Sequence, residues 1–190
     1  MHSKPVFLFD GQPKKSITLI GMSGVGKSTL GKALAKVLYY DFIDTDALIQ
    51  NRIGQPLQSL IEAQGDEAFK QLEESVILAL PTTSFHVIAT GGSVIYSPKA
   101  MAHLSSFSLI IFLQDTFEHI QSRVSDVDKR GIVGLKNSNL ETLYYDRQPL
   151  YEQYAQQTVQ LSYPFNKNGM VAKIMGQLKE YRSYEHRSFS

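Results

Sequence analysis

A glycine-rich run that ends in a lysine and two hydroxyl residues is the segment of this chain best suited to chemistry. Residues 21–29 read Gly-Met-Ser-Gly-Val-Gly-Lys-Ser-Thr and fit the phosphate-binding pattern G-x-x-x-x-G-K-[ST]. The glycines let successive backbone N–H groups turn toward a phosphate chain, Lys27 would reach the β- and γ-phosphates, and the Ser28 hydroxyl would bind Mg²⁺. We therefore predict a nucleoside triphosphate site with Mg²⁺, formed by Gly24, Val25, Gly26, Lys27, Ser28 and Thr29.

Two aspartates form a second candidate for chemistry. Asp44 and Asp46 follow the short strand-like stretch 40–43. Phosphoryl transfer uses one carboxylate to hold Mg²⁺ through its water shell and another to position or deprotonate the accepting hydroxyl. Asp44 is suited to the metal and Asp46 to the hydroxyl. An alternative is that one aspartate only caps the helix that begins at Ala47, and capping is compatible with catalysis.

The flanking residues indicate which elements position these groups. The phosphate-binding run lies between the apolar stretch 17–20 and a helical repeat of leucines, as the motif requires. An ordinary glycine-rich turn is the alternative, but such a turn does not need Lys-Ser-Thr after its last glycine. Further strands are predicted at 40–43, 85–89, 108–113 and 158–161, with helices between them.

This alternation predicts an α/β fold of three layers, with helices on both faces of a central parallel sheet of about five strands. Ligands are then expected at the carboxyl ends of the strands. Residues 138–141 form a capping box that starts a late helix, and Pro149 is expected to interrupt or restart that helix.

Length and composition exclude several classes of protein. The chain has 190 residues, a formal net charge of +1 and no cysteine, so it offers no disulfide framework and no basic footprint for nucleic acid. No apolar run is long enough for a membrane helix, and a cytoplasmic monomer or weak homo-oligomer is expected. We predict one domain over residues 16–182, an extension over 1–15 and a polar tail over 183–190, with both ends mobile.

Several motifs in order resemble the shikimate kinases, which have a P-loop fold like that of the nucleoside-monophosphate kinases. The resemblance runs from about residue 17 to about residue 161. It rests on the phosphate-binding run and on the segments Phe-Ile-Asp-Thr-Asp (42–46), Gly-Asp-Glu-Ala-Phe-Lys (65–70), Ala-Thr-Gly-Gly (89–92), Lys-Arg (129–130) and Arg-Gln-Pro-Leu-Tyr (147–151).

The resemblance implies transfer of the ATP γ-phosphate to a hydroxyl of shikimate, in aromatic amino acid biosynthesis. It implies catalytic roles for Lys27, for Asp46 and for Arg130, which matches a lid arginine that neutralises γ-phosphate charge. Arg123 matches a position on the adenine side of the nucleotide, and Arg147 matches one that binds the substrate carboxylate. The lid would span about 125–137 and the substrate-binding helices about 44–80. The implied substrate-binding set is Asp46, Lys70, Gly91, Gly92, Ser93 and Arg147.

Three departures from the family pattern concern the acceptor half of the site. Lys70 stands where the family usually has arginine, and a lysine cannot bind a carboxylate as a bidentate fork. Ser93 replaces the third glycine of a Gly-Gly-Gly run, and Gly-Ile-Val at 131–133 replaces Pro-Leu-Leu in the lid. Two alternatives therefore stay open: the same reaction on another small hydroxy, amino or sugar acid, and a nucleotide-binding regulatory module without turnover.

Overall fold

The computed structural model describes residues 4–124 and 131–183. In chain order the strands are β1 (Val6–Phe9), β2 (Gln12–Lys14), β3 (Ser16–Ile20), β4 (Asp41–Asp44), β5 (His86–Ala89), β6 (Ser108–Gln114), β7 (Gln157–Gln160) and β8 (Arg182–Ser183). The α-helices are α1 (Lys27–Leu38), α2 (Thr45–Ile53), α3 (Leu57–Leu78), α4 (Pro98–Phe107), α5 (Phe117–Arg123), α6 (Leu140–Tyr154) and α7 (Lys167–Leu178).

Five strands form a parallel sheet in the order β4-β5-β3-β6-β7. The three central strands are apolar along most of their length because helices cover both faces of the sheet. The predicted α/β architecture with a five-stranded parallel sheet is therefore confirmed. Among the residues described, no helix is long and apolar enough to cross a membrane.

The helix that carries the acceptor-side residues differs from its prediction. Pro149 lies inside α6, which continues to Tyr154, so the predicted interruption is wrong. Proline lacks an N–H donor and weakens a helix locally, but α6 gains more from tertiary packing. Its Tyr151 ring is fully buried and stacks on Phe112 of β6, with ring centroids 5.1 Å apart. The cap is the Asn139 side chain, which accepts a hydrogen bond from the Thr142 N–H, and not Ser138.

The described part of the predicted N-terminal extension contains two strands. Strands β1 and β2 form an antiparallel hairpin, and β8 pairs with the other edge of β1. The two-residue loop Asp10-Gly11 has positive φ at both positions (49° and 73°), as in the tight turns that match strand twist. Phe7 is buried in the main core, and the Lys14 ammonium donates to the Ser105 carbonyl at the end of α4 (2.6 Å).

The hairpin should therefore contribute to stability. Phe7→Ala is expected to lower the free energy of unfolding by about 3 kcal/mol, because it leaves a cavity in the core. Leu8→Ala is the matched control, since Leu8 follows Phe7 on the same strand and is 42% exposed, and its cost should stay below about 1 kcal/mol. Urea unfolding of both variants measures the difference. Equal costs would contradict the packing of the hairpin on the core.

Candidate active site

The predicted phosphate-binding run forms a loop between the end of β3 and the start of α1. Gly21 and Gly24 have positive φ values of 140° and 84°. A side chain at Gly21 would lie 2.6 Å from the Leu113 carbonyl of β6, and one at Gly24 would overlap Val124 after α5. Only glycine satisfies both the backbone conformation and the close approach. The loop is thus held against β6 and α5, and the N-terminus of α1 faces the cavity, where anions bind favourably.

Lys27 is folded over this loop. Its ammonium donates to the Gly21 and Met22 carbonyls at 2.7 and 2.9 Å. Burial lowers the pKa of Lys27 to about 8, while the charge of Asp46 nearby opposes that shift. The cation is therefore largely retained at neutral pH and lies at the place where a phosphate chain would follow the loop.

A cavity of about 580 Å³ opens in front of the loop. It brings the six predicted residues of the phosphate loop together with Arg123, which lies far from them in the chain. Its lining includes Gly24, Val25, Gly26, Lys27, Ser28 and Thr29, together with Asp46 and Arg123. We refer to it as the nucleotide cavity.

A guanidinium group and an aromatic ring form one wall of the nucleotide cavity. The Arg123 guanidinium carbon lies 5.6 Å from the centroid of the Phe165 ring, and both residues line the cavity. An Nη1 atom of Arg123 lies 2.7 Å from Asp115 Oδ2. The sequence analysis identified Arg123 only through the resemblance and did not identify Phe165 or Asp115.

A second, narrow cavity of about 20 Å³ adjoins the first. We refer to it as the acceptor cavity. Asp46 lines both cavities, so its carboxylate lies where their contents would meet. The predicted substrate residues Gly91, Gly92, Ser93 and Arg147 also line the acceptor cavity, and so do residues 131–133 of the predicted lid.

Among the residues described, Arg147 is the cation that lines the acceptor cavity. It is only 1% exposed. One terminal nitrogen donates to the Val133 carbonyl at 2.6 Å, and Nε donates to the Tyr96 hydroxyl at 3.2 Å. Its guanidinium also lies over the Tyr96 ring, 5.3 Å from the centroid. The guanidinium is therefore held in place by a main-chain oxygen and by the Tyr96 side chain.

Asp46 has the environment of a functional carboxylate. Its Oδ1 atom is buried and has no hydrogen-bond partner among the described residues. Burial of the carboxyl group raises the pKa of Asp46 to about 6, and Lys27 opposes that rise. The group is thus ionised at neutral pH and can accept a proton or face a cation. The predicted metal residue Asp44 caps α2 by accepting from the Ala47 N–H at 3.2 Å and lines neither cavity.

Glu73 of α3 is a buried carboxyl group that sequence analysis missed. Its exposed fraction is 2%, and Ser93 donates a hydrogen bond to Oε2 at 2.7 Å. Burial raises the pKa of Glu73 to about 8, against the effect of that hydrogen bond. A side chain at Gly91 would overlap Glu73 Oε1 and lie 2.8 Å from Asp46 Oδ1. The signal was present in the sequence, because Glu73 lies four residues from both Phe69 and Ile77 on the buried face of the helix.

Lys70 is not brought into either cavity by the structure. Its ammonium lies 2.6 Å from Glu67 on the preceding turn, and its side chain is 33% exposed. Ser93, the second departure, hydrogen-bonds to Glu73 as described above. The third departure, residues 131–133, forms part of the wall of the acceptor cavity, and Val133 is 5% exposed. The next residue, Gly134, donates its N–H to Asp66 at 2.8 Å. Arg130 lies outside the described residues, as does the lid from 125 to 130.

The strand order and the two adjoining cavities identify the class of protein. A phosphate loop at the carboxyl edge of such a sheet, beside an acceptor cavity, is the arrangement of small-molecule kinases with the P-loop fold of nucleoside-monophosphate kinases. This chain belongs to that class.

Comparison with known proteins gives the family. The family model for shikimate kinase matches residues 23–179. Shikimate kinase of Vibrio vulnificus is 36% identical over 148 residues, which cover 77% of this chain and 86% of that protein. The structure of shikimate kinase from Acinetobacter baumannii in complex with shikimate has a TM-score of 0.80 at 26% identity, over 88% of this chain and 94% of the other. The chain belongs to the shikimate kinase family and is an ATP-dependent small-molecule kinase.

A gluconokinase from Sinorhizobium meliloti shares the fold, with a TM-score of 0.52 at 17% identity over 87% of this chain and 91% of the other. This likeness extends to the architecture alone.

The buried carboxyl group of Glu73 should make stability depend on pH. Its pKa is about 8 in the folded protein and 4.5 in an exposed reference state, so folding binds a proton between these values. The stability of the wild type should therefore fall relative to Glu73→Gln as pH rises from 5 to 8, by at most about 1.4 kcal/mol per pH unit. Urea unfolding at several pH values measures this.

Glu74→Gln is the control for this experiment, because it is the same substitution at the next position, where the side chain is 31% exposed. If the difference in free energy of unfolding between the wild type and Glu73→Gln stays constant with pH, Glu73 does not bind a proton on folding.

Proposed function

We propose that this protein transfers the γ-phosphate of ATP to a hydroxyl of shikimate. The observation that carries the proposal is the position of Asp46, whose carboxylate lines both the nucleotide cavity and the acceptor cavity. A group at this junction can contact the accepting hydroxyl while the triphosphate lies on the loop, which is the positioning that phosphoryl transfer requires.

The nucleotide side of the proposal uses the loop residues and Lys27. Backbone N–H groups of Gly24, Val25 and Gly26 and the N-terminus of α1 would bind the phosphates, with Lys27 at the β- and γ-phosphates. Arg123 would contact the base from the cavity wall. Arg130 keeps its proposed role at the γ-phosphate on the resemblance alone.

Mg²⁺ belongs to the proposal because the donor set near the loop fits this ion. Mg²⁺ prefers oxygen ligands and retains several waters. The Ser28 hydroxyl lines the nucleotide cavity, Asp46 has a buried oxygen without a partner among the described residues, and Asp44 lies close enough to affect the Lys27 and Asp46 pKa values. Bound there by Ser28 and by Asp44 through water, the ion would neutralise charge on the phosphates.

The acceptor side uses Arg147 as the carboxylate ligand. A guanidinium fork binds two carboxylate oxygens in parallel, and Arg147 is already positioned by Tyr96. The carboxylate of the acceptor would take the place of the Val133 carbonyl, while Gly91 and Gly92 allow the substrate to approach the floor closely. Ser93 would support this floor through Glu73.

Asp46 would take up the proton that the acceptor hydroxyl releases in the transfer step. The acceptor oxygen forms a bond to the γ-phosphorus as the bond from that phosphorus to the bridging oxygen of ADP breaks. The hydroxyl proton passes to the Asp46 carboxylate, whose pKa of about 6 suits a proton acceptor at neutral pH. Lys27 stabilises the negative charge that shifts toward ADP.

The test is ADP release by the purified protein in Mg-ATP with shikimate, compared between the wild type and Asp46→Asn. We expect saturable stimulation of the wild type and a loss of kcat of about 10²-fold or more in the variant, because the proton acceptor is removed. Asp41→Asn is the matched control. This substitution also removes one carboxylate charge, but from an exposed residue at the start of β4. If shikimate does not stimulate ADP release by the wild type, the proposal is contradicted.

The same assay with other small hydroxy, amino and sugar acids addresses the second candidate, phosphorylation of a different acid. The observation that favours it is that Lys70 pairs with Glu67 and leaves Arg147 as the cation lining the acceptor cavity in the described parts of the chain. Stimulation by one of those acids and not by shikimate would support this candidate.

The two predicted carboxylate ligands should differ in importance. Arg147→Lys is expected to raise the KM for the acceptor by about 10- to 100-fold, because it removes the fork from a buried site. Lys70→Met is expected to raise this KM by less than about threefold, because an exposed ion pair with Glu67 contributes little. Melting temperatures of both variants check the fold. A larger effect at Lys70 than at Arg147 would show that Lys70 moves to the substrate.

A further inference from the structure

A buried carboxylate lies beside the nucleotide cavity, against Arg123 of the cavity wall. Asp115 directly follows β6 and is 3% exposed. Its Oδ1 accepts from the Thr116 N–H at 2.9 Å and lies 2.8 Å from Nδ1 of His119. Its Oδ2 lies 2.7 Å from Arg123. The Tyr144 hydroxyl donates to the Asp115 carbonyl at 2.8 Å, so both the main chain and the side chain of Asp115 are fixed.

The two side chains that Asp115 holds each contact an aromatic ring. His119 stacks on Tyr163, with ring centroids 4.4 Å apart and planes 18° apart. The Arg123 guanidinium lies 5.6 Å from the Phe165 centroid. His119 and Arg123 are four residues apart on α5 and share one face of it. A single buried carboxylate therefore underlies both contacts between α5 and the loop that connects β7 to α7.

This arrangement forms part of the nucleotide cavity. Arg123 and Phe165 line the cavity that contains Lys27 and Ser28, and Val124 packs against Gly24 of the phosphate loop. A guanidinium plane and an aromatic ring both attract a flat heteroaromatic ring. A nucleotide with its phosphates on the loop would have its base close to this wall.

We propose that Asp115 is a positioning residue for the base of the nucleotide, acting through Arg123 and His119. It holds the Arg123 guanidinium in place at the cavity wall and, through His119 and Tyr163, holds the loop that carries Phe165. A long, partly exposed arginine would otherwise sample many rotamers and lose free energy on binding the base. The inference rests on the proposed function in taking ATP as the ligand.

The test separates the base from the phosphates. In the full chain, Asp115→Asn should weaken ADP binding about tenfold, because an ionised partner of Arg123 is lost, while binding of inorganic tripolyphosphate should change by less than about twofold. In the kinase assay the KM for ATP should rise by a similar factor, and kcat at saturating ATP and the KM for the acceptor should stay constant. Asparagine retains an oxygen that can accept from the Thr116 N–H, which favours normal folding.

Glu118→Gln is the matched control. Glu118 is exposed on the same helix, and its substitution removes the same charge without contact to Arg123 in the described hydrogen bonds and ion pairs. It should change neither affinity. A double-mutant cycle with Arg123→Ala adds a second readout: if Asp115 acts through Arg123, adding Asp115→Asn to Arg123→Ala should weaken ADP binding less than Asp115→Asn does alone.

His119→Ala keeps the inference testable if Asp115→Asn does not fold, because the His119 side chain is 30% exposed. It should weaken ADP binding about threefold and leave tripolyphosphate unaffected. Equal losses for ADP and tripolyphosphate, or no loss for ADP in either variant, would overturn the inference. These binding measurements do not involve the acceptor, so they remain decisive if shikimate fails to stimulate the wild type.

Discussion

Four ionisable side chains, Lys27, Asp46, Glu73 and Arg147, are wholly or partly buried at the carboxyl edge of the central sheet, and the surrounding structure holds them there. With the pKa values of about 8 for Lys27, 6 for Asp46 and 8 for Glu73, the site at neutral pH carries two cations, Lys27 and Arg147, and one carboxylate, Asp46. The protonated Glu73 adds no charge. The net positive charge of these four partly buried groups favours the binding of two anions, a nucleoside triphosphate and a carboxylated acceptor.

Close packing around the glycines keeps these charges in place. Gly21 and Gly24 bring the phosphate loop against β6 and α5, and Gly91 leaves room for the carboxyl groups of Asp46 and Glu73. Each of these positions lies at the end of a parallel strand or in the loop that follows one. Because the carboxyl ends of parallel strands meet at one edge, side chains far apart in sequence share a site of a few ångströms.

The N-terminal hairpin lies outside the region that the family model matches, which begins at residue 23. It nevertheless contributes Phe7 to the main core and covers the end of α4 through Lys14. The turn of the hairpin was predictable from its sequence, because Asp10-Gly11 directly after the apolar run 6–9 is a signal for a two-residue turn. The mobility expected of residues 1–15 stays a prediction.

The sequence by itself determined the five strands of the central sheet and the helices between them, the phosphate loop, and Asp44 and Asp46 at the end of β4 and the start of α2, because these depend on local spacing and on backbone preferences of neighbouring residues. It did not determine the continuity of α6 through Pro149, the burial of Glu73 or the contact of Asp115 with Tyr144. These depend on free energies of packing and desolvation between distant segments, such as Ser93 with Glu73 and Val133 with Arg147. Only the tertiary structure places those segments together, and it thereby decides which charges are buried and which face water.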